Sequence, residues 1–288
     1  MTRTSPGPAG VWFITPGHSP DRFPIAHGCG ADVVLVDLED SVPAEAKAQA
    51  RRNASGFFSA PAQTRSLRGV RISSPTTRDG ILDLVTVGEC PTRPDVVLVS
   101  KVESARDIEV VAGALDTPSY SPYLYALVET PRAVQELPSI VRAGRIAGVG
   151  FGTADYAAAT GSSKGWEAML HARSALVTSA AAAGIPAVDS PFYDLGDVDG
   201  LRREAERVRD LGFAGKCCVH PDQLPAVTGV FTPAAEEVAA AHAIVAAAEQ
   251  AGGRIVRVNG QMVGPPMVRA ARALLARAQA RTVQGVTA

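Results

Sequence analysis

Asp37-Leu38-Glu39-Asp40 places three carboxylates directly after Val33-Val34-Leu35-Val36, a run that reads as a strand buried on both faces. Burying that much negative charge is costly unless something positive sits beside it. The octapeptide therefore predicts a metal-dependent site at the carboxyl edge of a sheet. Other ionisable residues end other strand-like runs: Arg71, Lys101 with Glu103, Glu129, Asp155, Asp189 and His220. An oxygen-rich set without paired His or Cys suits a hard cation, Mg²⁺ or Mn²⁺, better than zinc. Glu129 and Asp155, on adjacent strands, are the expected metal ligands. Arg71 is expected to grip a substrate carboxylate with its two-pronged guanidinium.

Plainer roles stand beside these. Asp37, Glu39 and Glu129 are also placed to cap the helices that follow them, and Arg71 to act as a structural counter-ion. Lys101 reads either as a Schiff-base nucleophile or as an ion-pair partner of Glu103 or Glu129. The surrounding acids favour the second reading. His220 is expected to hydrogen-bond structurally, and His18 alone says little.

The elements that must position these residues are legible as eight strand-like runs: 11–15, 33–38, 67–72, 96–100, 124–128, 146–151, 185–189 and 215–219. Helical stretches separate several of them. Residues 43–58 have Pro43 at their start, 168–183 stop at Gly184, and 199–211 stop at Gly212. Eight strand–helix units predict an α/β fold, a closed (β/α)8 TIM barrel with its chemistry at the carboxyl ends of the strands. The alternative is an open sheet, but Pro16-Gly17-His18 stands where a Gly-x-Gly-x-x-Gly loop would follow the first strand.

Beyond the eighth strand the rhythm changes. Thr232-Pro233 predicts an N-cap opening a helix to about Gln250. Residues 254–258 and 261–263 predict a hairpin on the Asn259-Gly260 turn, and Pro265 or Pro266 opens a last helix to about Arg281. Residues 1–230 are thus expected to form the barrel, with 231–288 a C-terminal lid or oligomerisation segment of the same domain.

The length of 288 residues suits one such barrel, which needs about 250. A net charge of -1 gives no electrostatic footprint for nucleic acid or an acidic membrane. No apolar run is expected to reach the roughly 20 residues of a membrane span. The first residues lack the apolar core of a signal peptide. Cys29, Cys90, Cys217 and Cys218 have no Cys-x-x-Cys spacing and read as reduced thiols of a cytoplasmic protein.

Taken in order, these motifs resemble the citrate lyase β-subunit-like branch of the HpcH/HpaI aldolase family. The matching pieces are Pro16-Gly17-His18-Ser19-Pro20, Asp37-Leu38-Glu39-Asp40-Ser41-Val42 with Lys47 and Arg51, Arg71-Ile72 and Lys101-Val102-Glu103. Glu129-Thr130, Gly152 with Asp155, Asp189-Ser190-Pro191-Phe192, Gly212 to Lys216 and His220-Pro221-Asp222-Gln223 continue the match. The resemblance implies Mg²⁺ held by Glu129 and Asp155, a substrate-binding Arg71, and Asp37, Glu39 and Asp40 ordering metal-bound water. It also implies substrate contacts near Pro16, Gly17 and Asp189, and a homo-oligomer, trimeric or hexameric. The implied reaction is carbon–carbon bond cleavage, or its reverse, on a β-hydroxyacyl coenzyme A thioester such as citryl-, malyl- or citramalyl-CoA.

The chain departs from the family pattern at four positions. Coenzyme A-dependent members commonly carry an Asp where this chain has Gly264, and that acid can act in proton transfer. Ser100 replaces a Pro, Ala154 an acid and Ser73 an Asn. With no acid at Gly264, Asp40 or a bound water becomes the candidate for proton transfer, or the reaction differs from malyl-CoA cleavage. The departures leave two alternatives: a class II-type aldolase on a free 2-oxo acid, and a non-catalytic ligand-binding barrel.

Overall fold

The structure is a computed structural model in which residues 9–283 are described, Ala62 and Gly253 excepted. Eight parallel strands close on themselves in sequence order: β1 Gly10–Pro16, β2 Val33–Asp37, β3 Leu67–Ile72, β4 Val96–Val99, β5 Tyr123–Val128, β6 Ile146–Phe151, β7 Ala187–Asp189 and β8 Gly215–Cys218. β8 pairs with β1, so the barrel has no edge and the predicted architecture holds. The strands are β-branched and aliphatic because both faces are covered. The barrel interior packs Trp12, Val33, Leu35, Leu98, Tyr125 and Leu127, while helices cover the outside. Each such large apolar side chain contributes about 1.5–3 kcal/mol on burial.

Several predicted boundaries shift. β7 is three residues long, because Ile185-Pro186 precedes the ladder and Pro cannot donate to it. The stretch predicted over 43–58 begins as a 3₁₀ turn and becomes α-helical only over Lys47–Ser59. Trp166–Ala183 and Val198–Leu211 do end on left-handed Gly184 and Gly212.

The chain divides into two compact units, residues 1–227 and 228–288. In the second, helix Ala235–Gln250 opens after Ala234 and not on Thr232-Pro233. Ala234 is still extended, and Glu237 accepts its backbone N–H at 2.9 Å. The hairpin is β9 Val256–Val258 with β10 Gln261–Val263, turning on Asn259 and Gly260, both at positive φ. Helix Pro265–Val283 follows. By length and composition, Pro221–Gln250 is apolar enough to cross a membrane, contrary to expectation. It is not one continuous helix, since residues 232–234 are non-helical.

Candidate active site

Parallel register explains how the acids of β2 meet the base of β3. Asp37 ends β2 directly opposite Arg71 on β3. Arg71 Nε donates to Asp37 Oδ1 at 2.6 Å and Nη2 to Oδ2 at 2.5 Å. The remaining Asp37 acceptor capacity goes to the backbone N–H groups of Glu39 and Ser41 and to the Ser41 hydroxyl. Burial alone would raise the Asp37 carboxyl, but the Arg71 guanidinium outweighs it and holds Asp37 below the usual carboxylate range. Asp37 is therefore saturated. It anchors Arg71 and shapes the loop, and has no lone pair left to order a metal-bound water as expected. Arg71 spends its Nε/Nη2 edge on Asp37, and Nη1, 3.3 Å from Glu39 Oε2, together with the second N–H of Nη2 forms its other edge. The residue still lines the central cavity.

The strand pairing also explains Gly17. Its N–H donates to the Asp37 carbonyl at 2.8 Å, and a Cβ there would sit 2.7 Å from that oxygen. Pro16 pairs with Asp37 in register. Both residues fix the mouth of β1 against β2, and neither lines the cavity.

Lys101 follows β4 with φ +52, one of two non-glycine residues at positive φ among those described. Its ammonium donates to Glu39, and to Asp40 Oδ2 at 3.1 Å, with Asp155 Oδ2 at 3.7 Å. The expected partners Glu103 and Glu129 are not its ion pairs. Glu103 accepts instead from the Thr130 hydroxyl at 2.8 Å. Burial lowers the Lys101 ammonium's affinity for its proton, but Glu39, Glu129 and Asp40 outweigh that and raise it, so the group stays charged and is no Schiff-base nucleophile. Asp40 is about half exposed. Partial burial pulls its carboxyl up, yet hydrogen bonds with Glu39 and Lys101 hold it below the ordinary value. Burial raises the Glu39 carboxyl beside it, against Arg71 and Lys101.

Glu129, at the end of β5, is almost fully buried. Its Oε1 accepts the Lys101 backbone N–H at 2.9 Å. Burial raises its carboxyl well above the usual range, and the charges of Glu39 and Asp155 add to the effect. Among the described residues no cation pairs directly with Glu129. Gly152 flanks it from the end of β6, where a Cβ would lie 2.4 Å from Glu129 Oε2. Asp155 stands in the first turn of Thr153–Thr160 and lines the same cavity of about 330 Å³ as Glu129, Arg71 and Asp40. Five carboxylates (Asp37, Glu39, Asp40, Glu129, Asp155) thus meet two cations, Arg71 and Lys101. Among the described residues no set of three His, Cys, Asp or Glu converges on one metal position. Two carboxylates with an unbalanced negative charge are what Mg²⁺ takes, leaving its other positions to water and substrate. The donor set fits Mg²⁺ on Glu129 and Asp155.

Below this acidic rim the cavity wall is apolar, built by Trp12, Leu98, Tyr125, Leu127 and Val188. Cys217 lines it too, but burial pushes its thiol up to about 12 and it carries no thiolate at neutral pH. Asp189 lies at the same end of the barrel, but its carboxylate is spent on Arg173 Nε at 2.9 Å and Lys216 Nζ at 2.7 Å. It is a buried ion-pair anchor between β7 and β8 that also lines the central cavity. His220 accepts the Asp222 N–H through Nδ1 and caps a 3₁₀ turn, the structural role expected of it. Gly264, in the second unit, has nothing within 3.8 Å of a built Cβ, so sterics do not explain the missing acid.

Two family models match the chain. HpcH/HpaI aldolase/citrate lyase covers residues 10–221, and a model described as a C–C bond lyase of the TIM-barrel fold covers 162–283. A (3S)-malyl-CoA thioesterase of Cereibacter sphaeroides is 33% identical, over 92% of this chain and 93% of its own. A citrate lyase subunit beta-like protein of Mycobacterium tuberculosis is 33% identical, over 96% and 98%. The crystal structure of protein CitE from Mycobacterium tuberculosis in complex with magnesium, acetoacetate and coenzyme A superposes with a TM-score of 0.79 at 31% identity, over 94% of this chain and 98% of that one.

Proposed function

The chain belongs to the HpcH/HpaI aldolase/citrate lyase family, and from that premise we propose that it is a Mg²⁺-dependent carbon–carbon lyase acting on a β-hydroxyacyl coenzyme A thioester. The observation that carries the reading is the buried, cation-less Glu129 beside Asp155 at the mouth of the barrel. Cleavage removes the β-hydroxyl proton and breaks the adjacent C–C bond. The hydroxyl carbon becomes the carbonyl of an oxo acid, and the bonding electrons remain on the other fragment as a thioester enolate, which then takes up a proton. Asp40, ionised and open to the cavity, is placed to accept the hydroxyl proton. Arg71 Nη1 and the Lys101 ammonium set a positive field beside the developing charge. Asp37 and Glu39 hold those two cations in place. When bound by Glu129 and Asp155, Mg²⁺ supplies Lewis-acid polarisation of substrate oxygens and offsets enolate charge.

The similarity to (3S)-malyl-CoA thioesterases favours a second reading, hydrolysis of the thioester at the same site. A panel of malyl-, citramalyl- and citryl-CoA with Mg²⁺, analysed for both products, separates the two. Lyase activity yields an oxo acid and a shorter acyl-CoA; hydrolysis yields free coenzyme A and the hydroxy acid. Turnover of a free 2-oxo acid with no thioester would favour the class II-type aldolase instead.

A homo-oligomer, trimeric or hexameric, fits this reading, supported by exposed Ile255, Met262 and Met267 on the C-terminal unit. Sedimentation velocity tests it. A cytoplasmic location is supported by the four free cysteines.

A further inference from the structure

The interior of a (β/α)8 barrel is ordinarily filled by layers of side chains and leaves no pore. Here the layer beneath the acidic rim is not full. Side chains alternate along a strand, so Leu127, two residues before Glu129, and Gly150, two before Gly152, face the same cavity one layer deeper. Ile14 and Cys217 line it and are only half-buried, although the barrel around them is closed. Leu98 and Leu127 each keep 7% of their surface open. Gly150 helps to keep the space empty: a Cβ there would lie 3.1 Å from Leu127 Cδ1 and 3.6 Å from Leu98 Cδ1. Trp12 Nε1 is closed off from the cavity, so the indole offers it carbon only. Among the described residues that line the cavity, Arg71 is the only cation, and it pairs with Asp37 at the rim.

Such a floor suits neither water, which needs about three polar partners, nor a carboxylate, which is costly to bury without a cation. It suits an alkyl group. The barrel offers the carrier chain of a thioester no exit through this floor, so that chain must leave by the open mouth. The polar atoms of the fragment that becomes the oxo acid belong at the rim, beside Glu129 and Asp155. The remaining substituent on its hydroxyl-bearing carbon is the part free to descend. We propose that the preferred substrate carries an alkyl chain longer than methyl on that carbon, and that the chain fills the space between Ile14, Leu98, Leu127 and Gly150. This sets it apart from malyl- and citramalyl-CoA, whose hydroxyl-bearing carbons carry hydrogen and methyl. The thioester rests on the function proposed above; the alkyl floor rests on the cavity alone.

Calorimetric titration of the full chain in Mg²⁺ with pyruvate, 2-oxobutanoate, 2-oxopentanoate and 2-oxohexanoate tests this. The charged counterpart of 2-oxopentanoate, 2-oxoglutarate, completes the series. Wild type is expected to bind about fourfold more tightly for each added methylene until the floor is full, and to bind 2-oxoglutarate more weakly than 2-oxopentanoate. Gly150→Ala is expected to remove most of the gain between pyruvate and 2-oxopentanoate. Ile14→Val, a milder change that keeps the test open if Gly150→Ala does not fold, is expected to move the tightest ligand toward a longer chain. Affinity independent of chain length would overturn the floor, as would equal binding of 2-oxoglutarate and 2-oxopentanoate, or no binding of any oxo acid. A wild-type chain-length profile in the folded variants would also overturn it. Cleavage of malyl- or citramalyl-CoA by a chain with no such preference would overturn the alkyl floor and leave the lyase reading standing. A chain-length preference in a protein that cleaves no thioester would uphold the floor and reject the lyase reading.

Discussion

Lys101 adopts a left-handed backbone and so turns its N–H onto Glu129 Oε1 at 2.9 Å, while its ammonium reaches the other way to Glu39 and Asp40. One residue thus joins the buried Glu129 carboxylate to the acids of β2. The left-handed region costs a non-glycine residue about 1–2 kcal/mol, and the two contacts offset that cost.

Replacing Lys101 separates its two roles. Lys101→Gly accepts the backbone geometry freely, whereas Lys101→Ala keeps the strain. After allowing for the greater entropy of a glycine chain when unfolded, the Gly variant is expected to be about 0.5–1 kcal/mol more stable than the Ala variant. Both should lose turnover, because Glu39 and Asp40 lose their shared cation. Urea unfolding decides the first point; equal or greater stability of the Ala variant would contradict it.

Gly152→Ala tests the packing around Glu129, the acid proposed to bind the metal. The added methyl would meet Glu129 Oε2 at 2.4 Å and its Cβ at 2.6 Å. A displaced carboxylate should cost about 100-fold in turnover, the scale of a misplacement near 1 Å. Circular dichroism should show the barrel intact. Wild-type kinetics in this variant would mean that Glu129 is not held where the account needs it.

Acid should weaken the fold through Asp37 and Asp189. Burial pulls both carboxyls up, but Arg71 for Asp37, and Lys216 with Arg173 for Asp189, hold them below the ordinary value of 3.8. A carboxylate with a depressed folded-state value binds its proton more readily when unfolded. Its contribution is fully present above 3.8 and is lost as pH falls through the lower folded value. Asp189→Asn should therefore lose about 3–5 kcal/mol at neutral pH, the cost of breaking a buried pair. It should also flatten the acid limb of stability against pH. An unchanged limb would remove Asp189 from the acid response.

The strands and the ring of acids were legible because both depend on residue type and spacing. Val33-Val34-Leu35-Val36 could only be a doubly covered strand, and the acids after it had to sit at its carboxyl end. The destinations of the charges were not legible, because they depend on register between strands. Asp37 and Arg71 close strands that are neighbours in a parallel barrel, so their pairing was derivable in principle from strand ends alone. The reach of Lys101 to Glu39 and Asp40, on strands two apart, was not, since its left-handed turn sets the direction and nothing in Ser100-Lys101-Val102 announces it. Gly152 shows the same limit. Its need for no side chain arises from Glu129, more than twenty residues earlier in the chain.

Magnesium titration of wild type and Glu129→Gln, read by calorimetry and by thioester cleavage on the same samples, tests the central claim most directly. The Gln side chain keeps an acceptor for the Lys101 N–H and removes the charge. Wild type should bind Mg²⁺ and require it for cleavage. The variant should fold normally, lose Mg²⁺ affinity by at least the roughly 100-fold that loss of a supporting residue can reach, and turn over no substrate. Undiminished Mg²⁺ affinity and cleavage in Glu129→Gln would contradict the account.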